Sequence, residues 1–434
     1  FLCTFSAMFC FWISAYTINF GLVIYAVACM IGFMTGLEIP LITRINQSYE
    51  SLRENISSVM EYDYYGGLLG GALFAFVLLP FLGLTYTPVL IGSLNLLVAS
   101  LILWYFPDRL MRPRILNIQF AALFLVSVLA FAVAKPIVLY GEQHKYKDKI
   151  VYQEQTRYQK IVVTQWKEDY WLFINGSTQF STYDEERYHE PLVHPLMGLI
   201  KERKDILLLG GGDGLAAREI LKYPDVENLT LVDLDPAMTR LARQDTIFLS
   251  INQGSLNDPR VRVVNQDAYQ FIKNSGDLYD AVIIDLPDPK SVSLSLLYSL
   301  GFYKMVEKHL KPFGSMVTQS TSPLYSPEAF LCIKKTMEAA GFSTIPYQNS
   351  VPSMGQWGWV LGVRQKTMPA QRLKQELLML GFADIETRFL NRDAMISMAH
   401  FGKGLFEKEA QIEPNTQFDH NIIKYYRQGN WDVY

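Results

Sequence analysis

Apolar and polar positions are unevenly distributed along this chain. From Phe1 to Ala134 charged side chains fall in short clusters, and the apolar runs between them reach roughly the 20 residues that a bilayer-crossing helix needs. The runs are Phe1 to Leu37, Gly66 to Gly83, Pro88 to Phe106 and Ile115 to Ala134. They predict a transmembrane region of four or more helices over residues 1–134, because lipid is the usual environment of helices that are apolar all round. Four buried helices of a soluble domain are the alternative; a cleaved leader accounts for one run, not four. The first run is long enough for one span and part of another and opens on Phe, so we expect further chain upstream.

After Lys135 the pattern changes. Residues 135–149, with His144-Lys145-Tyr146-Lys147-Asp148-Lys149, read as a polar linker. From Ile150 to Ser181 Val, Ile, Tyr, Trp and Phe alternate with polar residues, and Asn175-Gly176 supplies a tight turn, so residues 150–187 predict a small antiparallel β unit. Apolar strands then alternate with helical segments: Ile206 to Leu209, Leu229 to Leu234, Val261 to Val264 and Ala281 to Ile284. That alternation predicts an α/β, doubly wound, Rossmann-like domain over residues 188–364. Residues 365–434 form a helical extension, starting with an amphipathic helix at Ala370 to Leu380 and ending in the aromatic-rich Tyr425 to Tyr434.

Composition adds exclusions. The 434 residues exceed one ordinary domain, and the membrane-like front explains why 50% are hydrophobic. A formal net charge of -3 and the lack of a basic run argue against a nucleic-acid partner. Cys3, Cys10, Cys29 and Cys332 form no CxxC pair and no metal spacing, so we read them as small apolar packing residues and expect no metal.

The candidate chemistry lies where strands meet loops. Ile206 to Leu209 runs into Gly210-Gly211-Gly212-Asp213-Gly214 and a helix start, a turn that lets a ligand approach the backbone. About 20 residues on, the next strand ends in Val232-Asp233-Leu234-Asp235, where a carboxylate can accept hydrogen bonds from ribose hydroxyls. Together these predict a nucleoside site. Asp213 discriminates between nucleosides: it repels the carboxylate of ordinary S-adenosylmethionine and suits the sulfonium and ammonium of the decarboxylated form. It can also cap the following helix, and the two roles are compatible. Asn265-Gln266-Asp267-Ala268 and Asp285-Leu286-Pro287-Asp288-Pro289 follow the third and fourth strands, on the side where open α/β sheets bind ligands. Asp285 and Asp288 read either as ordinary loop acids or as a pair suited to a cationic amine that must lose a proton before it attacks carbon.

The run Asp184 to Glu190, the glycine loop, the Val232 to Asp235 acids, the Asp267-Ala268 step and the Asp-x-x-Asp-Pro turn resemble spermidine synthases in order and spacing, from about Val151 to Val363. Gly36-Leu37-Glu38-Ile39-Pro40-Leu41 and the Tyr425-Tyr426 to Trp431 stretch look like the long bacterial members with a multi-pass membrane region. The resemblance implies that Asp285 takes the proton from the attacking amine, Asp213 holds the aminopropyl ammonium, and Asp233 the ribose. It puts Asp267 and the Ala268 backbone at the adenine, Gln159 near the thioether, and Tyr188, His189 and Asp288 along the polyamine channel. Decarboxylated S-adenosylmethionine is then a co-substrate, with no separate cofactor, and an amine such as putrescine the acceptor. The β unit matches a family segment that often joins subunits, which implies a homo-oligomer.

Two departures concern the acceptor. Val351-Pro352-Ser353-Met354-Gly355 stands where family members carry Tyr-Pro-Ser-Gly, and Lys290-Ser291-Val292-Ser293 replaces a Gly-Pro loop. Both leave the acceptor open between putrescine and a longer amine. A methyltransferase on the same fold is the alternative enzyme; a membrane transporter or scaffold with a polyamine- or nucleoside-sensing domain is the alternative class. Arg109, Arg112 and Arg114 before the last span place that loop inside by the positive-inside rule, and so the catalytic part outside. A cytosolic donor demands the opposite, and we expect the cytoplasmic face of the cell membrane.

Overall fold

A computed structural model describes residues 2–14, 20–46, 51–105 and 113–431. The chain divides into two compact units, Phe1–Ile150 and Val151–Tyr434.

Among the described residues of the first unit, four helical stretches are long and apolar enough to cross a membrane: Gly21–Asn46, Leu52–Gly83, Thr85–Tyr105 and Ile115–Gln143. Large apolar side chains on them, including Phe76, Phe81 and Trp104, stand exposed, the pattern expected of helices apolar all round. Two of the helices reach well beyond the apolar runs of the sequence. The second stretch begins at Leu52, with Ser51 at the N-cap position and its hydroxyl donating to Glu54 Oε2 at 2.7 Å. The last helix passes Lys135 and runs to Gln143, since a change of composition is not a helix stop and Ile137 to Tyr140 continue the apolar run. Gln143 then ties down the turn beyond, donating to the Asp148 carbonyl at 2.7 Å and accepting from Ile150 N–H at 3.0 Å. A break falls at Gly83, whose φ of 64° only glycine adopts freely, and the Thr87 hydroxyl takes up the Gly83 carbonyl at 2.6 Å. Arg109 and Arg112 lie outside the described residues. Cys29 is exposed, against the packing role expected of it, while Cys332 is buried as expected.

The second unit opens with a four-stranded antiparallel sheet: β1 Lys149–Gln155, β2 Lys160–Trp166, β3 Asp169–Ile174 and β4 Ser177–Ser181, in that order. Asn175 and Gly176 connect β3 to β4 with φ of 51° and 80°, the left-handed pair that a two-residue hairpin turn requires.

The main sheet has seven strands: β5 Asp205–Gly210, β6 Asn228–Asp233, β7 Val261–Asn265, β8 Tyr279–Asp285, β9 Leu310–Gln319, β10 Phe342–Val351 and β11 Gly355–Arg364. Their spatial order is β10-β11-β9-β8-β5-β6-β7, with β5 to β9 parallel and β11 antiparallel to both β9 and β10. The order reverses between β5 and β8, and a crevice opens there beyond the strand ends. Leu207, Leu209, Val282 and Ile284 on one face and Leu208, Ile283 and Val317 on the other are fully buried, which is why these strands read as continuous apolar runs.

The helix Glu186–Leu199 crosses this core with Pro191 and Pro195 inside it. Each proline removes an N–H, leaving the carbonyl four residues earlier, that of Arg187 or Pro191, without its helical partner. Both are supplied from β10: Asn349 Nδ2 donates to the Arg187 carbonyl and the Tyr347 hydroxyl to the Pro191 carbonyl, each at 2.8 Å. The extension docks on the same helix, for Glu190 accepts the N–H groups of Arg388, Phe389 and Leu390. It includes the expected amphipathic helix, observed at Ala370–Met379.

Candidate active site

Asp285 is the last residue of β8 and the register partner of Gly210, the last residue of β5. Space here is set by glycine. A Cβ on Gly210 would stand 1.9 Å from the Asp285 carbonyl oxygen, and one on Gly212 would stand 2.5 Å from Asp233 Oδ2. Gly212 N–H donates to that same oxygen at 3.1 Å, while Asp235 N–H donates to Asp233 Oδ1 at 2.9 Å. The carboxylate at the end of β6 thus locks the glycine turn after β5. The far side of the turn is held by Asn252, which donates to the Asp213 carbonyl at 2.9 Å, and by the Ser255 hydroxyl, which donates to Gly214 at 2.6 Å. Asp213 Oδ1 accepts Leu215 N–H at 2.9 Å, which braces the turn before the helix whose N-cap is Gly214, and Asp213 lines the cavity.

A cavity of about 860 Å³ lies over these strand ends. Every residue expected at a site borders it: Gln159, Tyr188, His189, Gly210, Gly211, Gly212, Asp213, Asp233, Asp267, Ala268, Asp285 and Asp288. Gln159 arrives on the β1–β2 turn, which the Thr156 hydroxyl fastens to Asp235 at 2.8 Å. Asp267 caps the helix Ala268–Asn274 by accepting Gln270 N–H. Tyr188 and His189 come from the first turns of the proline-bearing helix, and the Tyr188 hydroxyl donates to Asp285 Oδ1 at 2.7 Å.

Burial makes these acids unusual. It pushes the Asp285 carboxyl up to about 6, with the charge of Asp213 adding to the rise while His189 and the Tyr188 hydrogen bond oppose it. Burial likewise lifts Asp233 to about 6 and raises Asp213 and Asp288. Against them stands His189, buried in a charge network. Its Nδ1 faces the Glu185 carbonyl at 2.9 Å and Glu185 Oε2 at 3.0 Å; both are acceptors, so Nδ1 carries the proton. Burial opposes the charged imidazole, but the Glu185 hydrogen bond and charge, with Asp213 and Asp285, raise its pKa. Arg218 reaches both Glu185 oxygens at 2.9 Å and Arg388 also pairs with it. The cavity is therefore rich in half-buried carboxylates and suited to a ligand that brings positive charge.

The sequence reading missed the wall around Asp288. Gln319, at the end of β9, donates to the Leu286 carbonyl at 2.6 Å and accepts Trp357 Nε1–H at 3.2 Å. As a polar residue closing a parallel strand it carried the same signal as Asp285. The Tyr426 hydroxyl donates to Asp288 Oδ2 at 2.9 Å, and Trp431 packs on Tyr426 with ring centroids 4.6 Å apart. Tyr426 lies 138 residues from its partner, so no local pattern announces it. Met354 and Trp357 line the cavity from the β10–β11 hairpin, whose turn is pinned by Ser353 N–H and hydroxyl donating to Asp184.

Residues 185–375 match the spermine/spermidine synthase domain family. The polyamine aminopropyltransferase of Oceanobacillus iheyensis is 37% identical over 414 residues, covering 95% of this chain and 79% of that one. Polyamine aminopropyltransferase 2 of Aquifex aeolicus is 41% identical over 410 residues, covering 93% of this chain and 79% of its own. Among solved structures, the spermidine synthase of Thermotoga maritima aligns with a TM-score of 0.52 at 23% identity, over 61% of this chain and 88% of that one, a likeness of fold. Alignment along nearly the whole chain, on a domain whose glycine turn and strand-end carboxylates surround one cavity, makes this chain a member of the polyamine aminopropyltransferase family and an aminopropyl-transferring enzyme.

Proposed function

We propose that the donor is decarboxylated S-adenosylmethionine and the acceptor a diamine such as putrescine, giving spermidine and methylthioadenosine. The observation that carries this reading is the meeting of Asp213 and Asp285 on one cavity that also holds the glycine turn and Asp233. In the proposed arrangement Asp233 accepts the ribose hydroxyls, Asp267 and the Ala268 backbone face the adenine, and Gln159 lies near the thioether. Asp213 holds the ammonium of the aminopropyl arm, a contact that ordinary S-adenosylmethionine would turn into repulsion. Tyr188, His189 and Asp288 line the acceptor channel.

The reaction is one displacement. Asp285 takes a proton from the reacting ammonium, and a carboxyl raised to about 6 is a stronger base than an ordinary one. The freed nitrogen lone pair attacks the carbon beside the sulfonium, the carbon–sulfur bond breaks, and its electron pair returns to sulfur, so methylthioadenosine leaves uncharged. Two cations must approach each other for this to happen. Half-buried carboxylates stabilise that encounter, and orientation supplies much of the rate.

Purified protein given decarboxylated S-adenosylmethionine and putrescine should release methylthioadenosine, and Asp285→Asn should slow release by about 10²–10⁴-fold while still binding the donor. Folded protein that releases none with any amine would sink the reading.

The four long apolar helices fit a multi-pass membrane region, with the catalytic unit on the cytoplasmic face where the donor is made. Protease digestion of sealed vesicles of known orientation tests the sidedness. The small sheet is proposed as a homo-oligomer contact, to be read from the mass of the detergent-solubilised protein by light scattering.

A further inference from the structure

The acid side of the acceptor channel is short. Asp285 and Asp288 lie on one turn, enough for the reacting nitrogen and one further ammonium, and the next charged side chain along the chain is Lys290. Among the described residues that line the cavity, Lys290 is the single Lys or Arg. Its backbone is folded back on the turn, with Lys290 N–H donating to the Asp288 carbonyl at 2.7 Å. Its side chain crosses to the small sheet, where Nζ donates to Ser177 Oγ at 2.7 Å. On the way Nζ stands 5.9 Å from the centroid of the Tyr426 ring, whose hydroxyl is bound to Asp288. Lys290 itself is exposed, so this ammonium sits at the mouth, just beyond the Asp288–Tyr426 pair.

An ammonium in that place has a plain consequence for cationic ligands. On the acceptor reading above, a diamine puts one nitrogen at Asp285 and the other at Asp288 and ends there. A triamine must carry a third ammonium outward past Asp288, against a fixed like charge at the edge of a low-dielectric cavity. The aromatic face of Tyr426, which would attract that third cation, is already occupied by the lysine.

Resting on the acceptor reading above, we propose that Lys290, strapped to Ser177 across the cavity mouth, is a specificity-determining residue that restricts the acceptor to two-nitrogen amines by repelling the third ammonium of a triamine. Discrimination here comes from a repulsive element rather than from a better fit to the diamine.

The test is the ratio of kcat/KM for spermidine to that for putrescine, read from methylthioadenosine release by the full chain. The unmodified protein should strongly favour putrescine. Lys290→Met and Lys290→Gln should each raise the triamine-to-diamine ratio by about tenfold or more, the size of effect expected from removing one close like charge. The change should appear chiefly in the triamine KM, and added salt should narrow the discrimination of the unmodified protein but not of the variants. The salt series needs no variant, so it stands even if a substitution impairs folding. An unmodified protein that uses both amines equally, or a ratio that neither variant nor salt moves, overturns the proposal while leaving aminopropyl transfer intact. Failure to turn over any amine would instead overturn the donor and acceptor reading itself.

Discussion

The Tyr188 hydroxyl donates to Asp285 Oδ1 across a sequence separation of 97 residues, and this bond holds down a carboxyl that burial pushes up to about 6. Two expectations follow. With saturating donor, kcat/KM for the amine should fall as the pH drops through about 6, because the proposed base must be ionised to accept a proton. Tyr188→Phe removes a group that favours the ionised form, so the acidic limb should move to higher pH and the rate at neutral pH should fall. Asp285→Asn should cost about 10²–10⁴-fold, the usual worth of a general base. A Tyr188→Phe profile superimposable on that of the parent would disprove the coupling.

Stability should respond to the same acids with a definite sign. Asp233 and Asp285 titrate near 6 in the folded chain, above the ordinary value of 3.8, so the folded state holds protons that the unfolded state has released. Their contribution is fully present below about pH 4 and is lost as the pH rises through about 6. A cationic ligand relieves the repulsion that burial leaves behind. The rise in melting temperature produced by saturating polyamine should therefore be larger at pH 7.5 than at pH 5. An equal rise at both would show that the carboxylates do not meet the ligand.

Gly212 offers a local test of the nucleoside site. Its Cβ would lie 2.5 Å from Asp233 Oδ2, on the carboxylate that the Gly212 N–H itself binds. Gly212→Ala must push that side chain aside, and overpacking of this kind costs about 1–3 kcal/mol. Calorimetry with methylthioadenosine should show affinity weakened by about tenfold or more. Undiminished affinity would mean that Asp233 does not contact the nucleoside.

Asp213 sets the choice of donor. Asp213→Asn keeps a side-chain oxygen for the Leu215 N–H, but removes the charge proposed to hold the aminopropyl ammonium. Binding of decarboxylated S-adenosylmethionine should weaken, and its preference over ordinary S-adenosylmethionine should shrink. If the parent protein binds the ordinary nucleoside more tightly, the assignment is wrong.

What could be read from the sequence has a common physical origin. Gly210, Asp233, Asp267 and Asp285 could be found because each lies at or just beyond the end of an apolar strand, and parallel strands put their ends side by side. Tyr426 and Trp357 reach the same cavity over long separations, where chain order carries no information about distance, whereas Gln319 closes β9 and carried the strand-end signal unread. Helix limits were also poorly legible. The Leu52 start lies in a polar segment ahead of the apolar run, and the helix through Lys135 continues because a single charge at the end of an apolar run does not interrupt its hydrogen bonds.

The helix that carries Tyr188 and His189 depends on help from outside itself. Pro191 and Pro195 strand the Arg187 and Pro191 carbonyls, and Asn349 and Tyr347 satisfy them from β10. Tyr347 is fully buried, so Tyr347→Phe leaves a buried acceptor without a partner and should cost about 1–3 kcal/mol, as should Asn349→Ala at the other carbonyl. For a unit of this size that is a fall in melting temperature of about 2–4 °C per kcal/mol. The distinguishing measurement is a rescue. Pro191→Ala restores the N–H that a helix would aim at Arg187, so in that background Asn349→Ala should cost markedly less than it does alone, a coupling visible in a double-mutant cycle. Equal costs in both backgrounds would mean that Asn349 acts by packing and not as a substitute for the missing helical hydrogen bond. Because Tyr188 is the residue after Arg187, Asn349→Ala should also lower activity with putrescine, and Pro191→Ala should recover part of it.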